Sequence, residues 1–212
     1  MPSISNAEYQ QRMSNLQTQV AASELDALLV TARDSIFYLT GLVYEPLERP
    51  FFLVVRRDRS PVFLVPLLER GHLEQVAKMG IVTDRVFIVT YRALPAPPGQ
   101  GWPERLHQVL EAAQHVGVEA SLAYGVSAKL DNFTLHISPL VQELRVVKSA
   151  AKIEMIRRAA HYADLGVERL LPASYFGSSV AEGFVETRSI TKRIIREVGD
   201  FDPLLTKVLM AT

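Results

Sequence analysis

The chain has 212 residues, 48% hydrophobic and 22% charged, with 12 prolines and 11 glycines. That supports one domain with a sizeable core plus a smaller addition, and excludes both a disordered chain and a large multidomain machine. Twenty-three Lys and Arg balance 23 Asp and Glu, so no global field recruits nucleic acid or an anionic membrane, and neither half, divided at Val147, is a basic module.

Met1 to Gln17 is polar and lacks the basic and apolar regions of a secretory signal, and no apolar run approaches the roughly 18 residues of a membrane span. A cytoplasmic protein is the expectation. Tyr9, Met13, Leu16 and Val20 recur at helical spacing and predict an amphipathic helix over residues 7–24. Ala27 to Thr31 is a short continuous apolar run, hence a strand buried on both faces. Residues 32–39 read as a helical turn stopped by Gly41, and Phe51–Arg56 with Pro61–Val65 as an antiparallel hairpin about the polar turn 57–60. Further along, the spacing predicts a helix from Leu67 to Met79, a strand from Arg85 to Thr90 and a Pro-rich loop over 94–101. A helix from Trp102 to His115 ending near Gly117, a strand from Val118 to Ala120, a helix from Ser127 to Ile137 and a last strand from Val141 to Val147 complete the alternation. The class is α/β, a mixed sheet of five or six strands with helices on its faces.

Past Val147 the texture changes. Ile153, Ile156, Ala160, Ala163, Val167 and Leu170 predict one long amphipathic helix, broken by residues 172–179. Ser179 and Glu182 have capping-box spacing and open a second helix to Val198, closed by Gly199. Residues 204–210 look like a strand. Two helices and a strand cannot enclose a core, so 148–212 is expected to be the truncated start of a second domain. The apolar stripe from Ile153 to Leu170 is expected to drive oligomerisation or aggregation.

The chemistry-bearing residues are sparse. No cysteine means no disulfide, thiolate metal site or Cys nucleophile. The turn after the first strand, Thr31 to Ser35, has no glycine, and there is no P-loop, so phosphate binding is disfavoured. The five histidines, His72, His107, His115, His136 and His161, form no His-Glu-x-x-His pair. His161 with Asp164 reads as a solvated helix surface, Asp200 with Asp202 as a turn, and no Gly-x-Ser-x-Gly elbow occurs. No catalytic or metal-ligating residue is therefore assigned. The loop from Tyr44 to Pro50, which joins two buried strands and carries three charges, is the candidate contributor to a neighbouring site, through Tyr44, Glu45 and Arg49.

Ala27 to Leu42, with Ile36-Phe37-Tyr38-Leu39-Thr40-Gly41, resembles the opening of the N-terminal domain of creatinase, prolidase and aminopeptidase P relatives. More specifically, residues 144–160 are similar to the Arg-x-x-Lys-Ser-x-x-Glu-Ile helix opening of their pita-bread catalytic domain, carried here by Arg145, Lys148, Ser149 and Glu154, the acid displaced by two positions. The resemblance implies a creatinase/prolidase-like N-terminal domain over 1–147, followed over 148–212 by the first two helices of an incomplete pita-bread α+β domain. It further implies a parent hydrolase with two divalent metal ions on two Asp, one His and two Glu that come later than these helices. The chain itself is expected to bind no cofactor and to be inactive. Its implied partners are the rest of its own catalytic domain, a second copy in a homodimer, and a peptide or small amidino substrate, with no nucleic acid and no membrane. By position, Tyr44 to Arg49 would help shape the substrate cleft. The competing readings are a non-catalytic pseudo-peptidase interaction module and, more weakly, an independent small-ligand α/β domain.

Overall fold

The computed structural model describes residues 4–42, 44, 48–73, 86–93 and 95–198. The chain divides into two compact units, Ile4–Val147 and the segment from Lys148 onward. The first unit opens with helix α1 (Asn6–Ala22), started by Ser5, whose hydroxyl accepts from the Glu8 amide. Strand β1 (Ala27–Val30) is buried at every position, and α2 (Arg33–Thr40) stops at Gly41, which takes the left-handed conformation at φ +73°. Strands β2 (Phe52–Arg56) and β3 (Val62–Pro66) form the antiparallel hairpin, and β4 (Phe87–Tyr91) lies parallel to β3. There follow α3 (Trp102–Val109), β5 (His115–Val118), the single turn α4 (Tyr124–Ser127), β6 (Thr134–Ile137) and α5 (Leu140–Val146).

The six strands make one mixed sheet in the order β4-β3-β2-β1-β5-β6. Central β1 pairs antiparallel with β2 and parallel with β5, while β6 adds to β5 in parallel at the edge. Alternate residues feed two cores. Leu28, Val30, Leu53, Val55, Phe63 and Val65 pack on one face with Met13, Leu16 and Val20 of α1 and Val141 of α5. Ala27, Leu29, Phe52, Val54, Leu64 and Val116 pack on the other with Leu106 and Leu110. A sheet covered on both faces is why its central strands read as unbroken apolar runs.

Three segments depart from the expectation. The helix over 102–115 ends at Val109, and His115–Val118 is a strand instead. Gly117 is not a helix terminator: a side chain there would begin 2.6 Å from Leu25 and 2.9 Å from Leu28, so glycine permits close approach inside a strand. The expected 127–137 helix is one turn that ends, rather than begins, at Ser127, whose hydroxyl donates to the Tyr124 carbonyl; residues 134–137 are edge strand β6. The expected strand over 141–147 is helix α5, because Val141 and Leu144, three apart, turn the same face toward the core. The expected helix from Leu67 begins as a 3-10 turn at Leu67–Glu69, and its residues 74–79 lie outside the described residues, as does Arg85 of the expected 85–90 strand.

The second unit holds helices α6 (Ala150–Ala173) and α7 (Val180–Val198). Ser149 caps α6 by accepting from the Lys152 amide, and α6 runs through Pro172 into its last turn before ending. Ser179 and Glu182 make the expected reciprocal box: the Ser179 amide donates to Glu182 Oε2 at 2.6 Å and the Glu182 amide to Ser179 Oγ at 3.3 Å. The two helices meet where Gly166 faces Ile190, and Tyr162 donates to Glu197 at 3.1 Å. The expected closing Gly199 and the strand over 204–210 lie outside the described residues.

Candidate functional site

Two places in the first unit concentrate polar groups at the ends of buried strands. The first is the loop between α2 and β2. Tyr44 is a core residue, 5% exposed, its ring stacked on Phe51 at 4.2 Å and edge-on to Phe63 at 6.2 Å. Burial pushes its phenol well above the ordinary tyrosine range, so it stays neutral. At the loop's other end, the Tyr91 hydroxyl donates to the Pro50 carbonyl at 2.9 Å. Between these two anchors, Glu48 and Arg49 pair at 3.4 Å on the surface, with Arg49 about a third exposed. Glu45 lies outside the described residues. Of the three nominated side chains, the structure thus places Tyr44 inside the fold and Arg49 on its surface.

The second place is the carboxyl end of β1 and β5, where open α/β sheets receive ligands. Glu119, directly after β5 and 1% exposed, turns its Oε2 onto the amides of Thr31 at 2.8 Å and Ala32 at 2.7 Å, and Gln142 approaches its Oε1 at 3.4 Å. The amides that would meet a phosphate at the start of α2 are occupied by an internal carboxylate, which also suits the positive end of the helix. The glycine-free turn at Thr31–Ser35 needs no bound anion because the protein supplies one. Glu119 went unnominated in the sequence; the signal for it was an acidic residue immediately after a buried strand, beside a turn with no phosphate-binding glycine.

The resemblance implies two metal ions on two Asp, one His and two Glu, and the described residues do not supply that set. No group of three or more His, Asp or Glu gathers among the described residues. His161 and Asp164 lie exposed on α6, and Asp200 and Asp202 lie outside the described residues. Likewise, no helix of the described residues is long and apolar enough to cross a membrane.

The sheet order and the unit boundary at Val147 meet an independent match: the model of the Creatinase/Prolidase N-terminal domain fits residues 12–147. The chain belongs to the creatinase/prolidase family. It is 26% identical over 171 residues to an uncharacterized peptidase of Staphylococcus aureus (strain MRSA252), covering 81% of this chain and 46% of that protein. The prolidase from Pyrococcus horikoshii OT3 shares its fold with TM-score 0.67 at 18% identity, over 86% of this chain and 48% of that one. The Xaa-Pro dipeptidase from Bacillus anthracis does so with TM-score 0.67 at 20% identity, over 87% and 49%. The chain therefore spans about half the length of the curated relatives it matches. In this creatinase/prolidase N-terminal domain the polar groups at the strand ends are engaged internally: Glu119 on backbone amides, Tyr91 on a carbonyl. Among the described residues of the candidate loop, Glu48 and Arg49 face outward.

Proposed function

We propose that this chain forms the N-terminal part of a metal-dependent Xaa-Pro peptidase, with residues 1–147 as a non-catalytic domain and 148–212 as the start of the catalytic domain. The match of residues 12–147 to the Creatinase/Prolidase N-terminal domain carries this reading. It is supported by the prolidase and Xaa-Pro dipeptidase folds it resembles. The two divalent metal ions belong, on this reading, to ligands outside the described residues, so the work left to this part is positional. It borders the substrate cleft, takes part in a homodimer, and acts in the cytoplasm. Tyr44, held by stacking, and Pro50, held by Tyr91, fix the two ends of the loop, and Arg49, paired with the more exposed Glu48, is the cation that its described residues present.

The test uses the longer protein that contains this sequence, loaded with divalent metal and assayed on Xaa-Pro dipeptides and on creatine. Hydrolysis of the dipeptides, with none by the 212-residue chain, supports the reading. Turnover of creatine alone would transfer it to the amidinohydrolase side of the family, and turnover of neither would favour the non-catalytic module. Arg49→Ala is expected to raise KM several-fold with kcat and thermal stability little changed, the pattern of binding lost equally from ground state and transition state. An unchanged KM removes Arg49 and its loop from the cleft.

A further inference from the structure

We propose that His115 and His136 form a two-imidazole site for a divalent d-block cation of borderline softness, Zn²⁺ or Ni²⁺, at the edge of the sheet. The site follows from strand register. In the parallel β5–β6 pair, His115 lies opposite Thr134 and Gly117 opposite His136. Residues two apart on a strand share a face, so the two histidines are diagonal neighbours on one side of the sheet. Gly117, beside His136, contributes no side chain between the rings. His115 Nδ1 and His136 Nε2 stand 3.0 Å apart, with ring centroids 5.2 Å apart, and both residues are exposed.

That separation is the bite of a metal. A cation about 2.0–2.1 Å from each nitrogen, with its bonds between right-angled and tetrahedral, holds the two nitrogens roughly 2.8–3.4 Å apart. The two nitrogens already stand at that distance; each ring must turn its lone pair off the line that joins them, on a backbone that is already fixed. Asp26 Oδ2 accepts from the amides of Gln114 at 2.9 Å and His115 at 3.0 Å, and the Thr134 amide donates to the Gln114 carbonyl at 2.9 Å. Asp26 also keeps a carboxylate near the site, although its Oδ1 is engaged by Arg57 at 3.0 Å. Each ring gives one lone pair and keeps one N–H on its far nitrogen. The proton now shared between the rings moves, by exchange with water, to the far nitrogen of the ring that carries it. Starting from two neutral imidazoles, no net proton is released, and nothing is oxidised. Imidazole nitrogen selects Zn²⁺ and Ni²⁺ over Mg²⁺ and Ca²⁺, which require oxygen ligands. With no third His, Asp or Glu gathered among the described residues, water fills the remaining positions.

This inference stands on the β5–β6 register and not on the peptidase reading, so either can fail alone. The 212-residue chain is titrated with zinc chloride, and separately with magnesium chloride, while the histidine Cε1–H resonances are followed by NMR. The expected result is one Zn²⁺ per chain with the shifts concentrated on His115 and His136, and none with Mg²⁺. His115→Ala and His136→Ala each weaken zinc binding by roughly tenfold or more, since each removes the second, intramolecular tooth of the chelate. His161→Ala leaves it unchanged. Zinc shifts confined to His72, His107 or His161, wild-type affinity in His136→Ala, or no binding at millimolar zinc would each overturn the site. The wild-type spectrum decides the matter even if a variant fails to fold.

Discussion

A carboxylate buried at the end of a strand is tolerated only when its oxygens are paired, and Glu119 meets that condition with two backbone amides on a neighbouring loop. Glu119→Ala leaves the Thr31 and Ala32 amides buried without an acceptor, and is expected to lower unfolding stability by about 3 kcal/mol, read from urea denaturation. Glu119→Gln keeps a carbonyl oxygen for those amides and should lose much less; equal losses would mean that volume, not the hydrogen bonds, matters there. Asp26 behaves differently because part of its side chain stays in solvent. The His115 and Gln114 amides, in that order, with help from Arg57, hold its carboxyl below its ordinary 3.8. A depressed folded value means that its contribution is complete above the ordinary carboxylate range and is lost as pH falls through that range to the lower folded value. Asp26→Asn should therefore be less stable than the wild type at pH 7, by under about 1 kcal/mol given its exposure, with the gap closing in acid. A gap that persists unchanged below pH 3 would contradict this.

Which elements were legible depended on whether the signal was local. α1, β1, α2 and the β2–β3 hairpin carry apolar period, capping residue and terminator within a few positions, and all appear as read. β5 was read three residues late, at Val118–Ala120, and β6 was missed: each is four residues long and holds a histidine, and β5, to which β6 adds, gains its own pairing from β1, far back in the chain. No window over residues 110–137 contains that partner. The Val-rich run at 141–147 looked extended, yet Val141 and Leu144 needed helical spacing to reach the core beside α1. At the site, Tyr44 and Arg49 were nominated from one loop, but a charged loop does not reveal which side chain turns inward, and the pairing of Glu119 with Thr31 joins distant segments. The box at α7, by contrast, was written in four consecutive residues. Ser179→Ala removes the acceptor for the Glu182 amide and is expected to cost about 1 kcal/mol, seen as a lower melting temperature and frayed far-UV helicity. An unchanged melt would mean that the end of α7 is held by packing alone.

Taken whole, the chain places its stabilising burial unevenly. Both large apolar clusters, the complete six-stranded sheet and helices α1 to α5 lie within residues 4–147. α6 and the turn after it expose Ile153, Ile156, Val167, Leu171 and Phe176, and α6 has no buried residue at all. Burial of apolar surface is the main favourable contribution to folding, so the first unit contains what it needs to fold by itself and residues 148–198 do not. Residues 4–147 alone should then unfold cooperatively in urea, with a midpoint close to that of the same transition in the 212-residue chain. Residues 148–198 alone should show weak, non-cooperative helicity. The exposed apolar residues of α6 give a second readout: the 212-residue chain should self-associate with rising concentration, and to a greater extent than residues 4–147, by light scattering. A non-cooperative melt of residues 4–147 would mean that the sheet needs the later helices to hold its fold. Equal association of the two would move the contact surface onto the first unit.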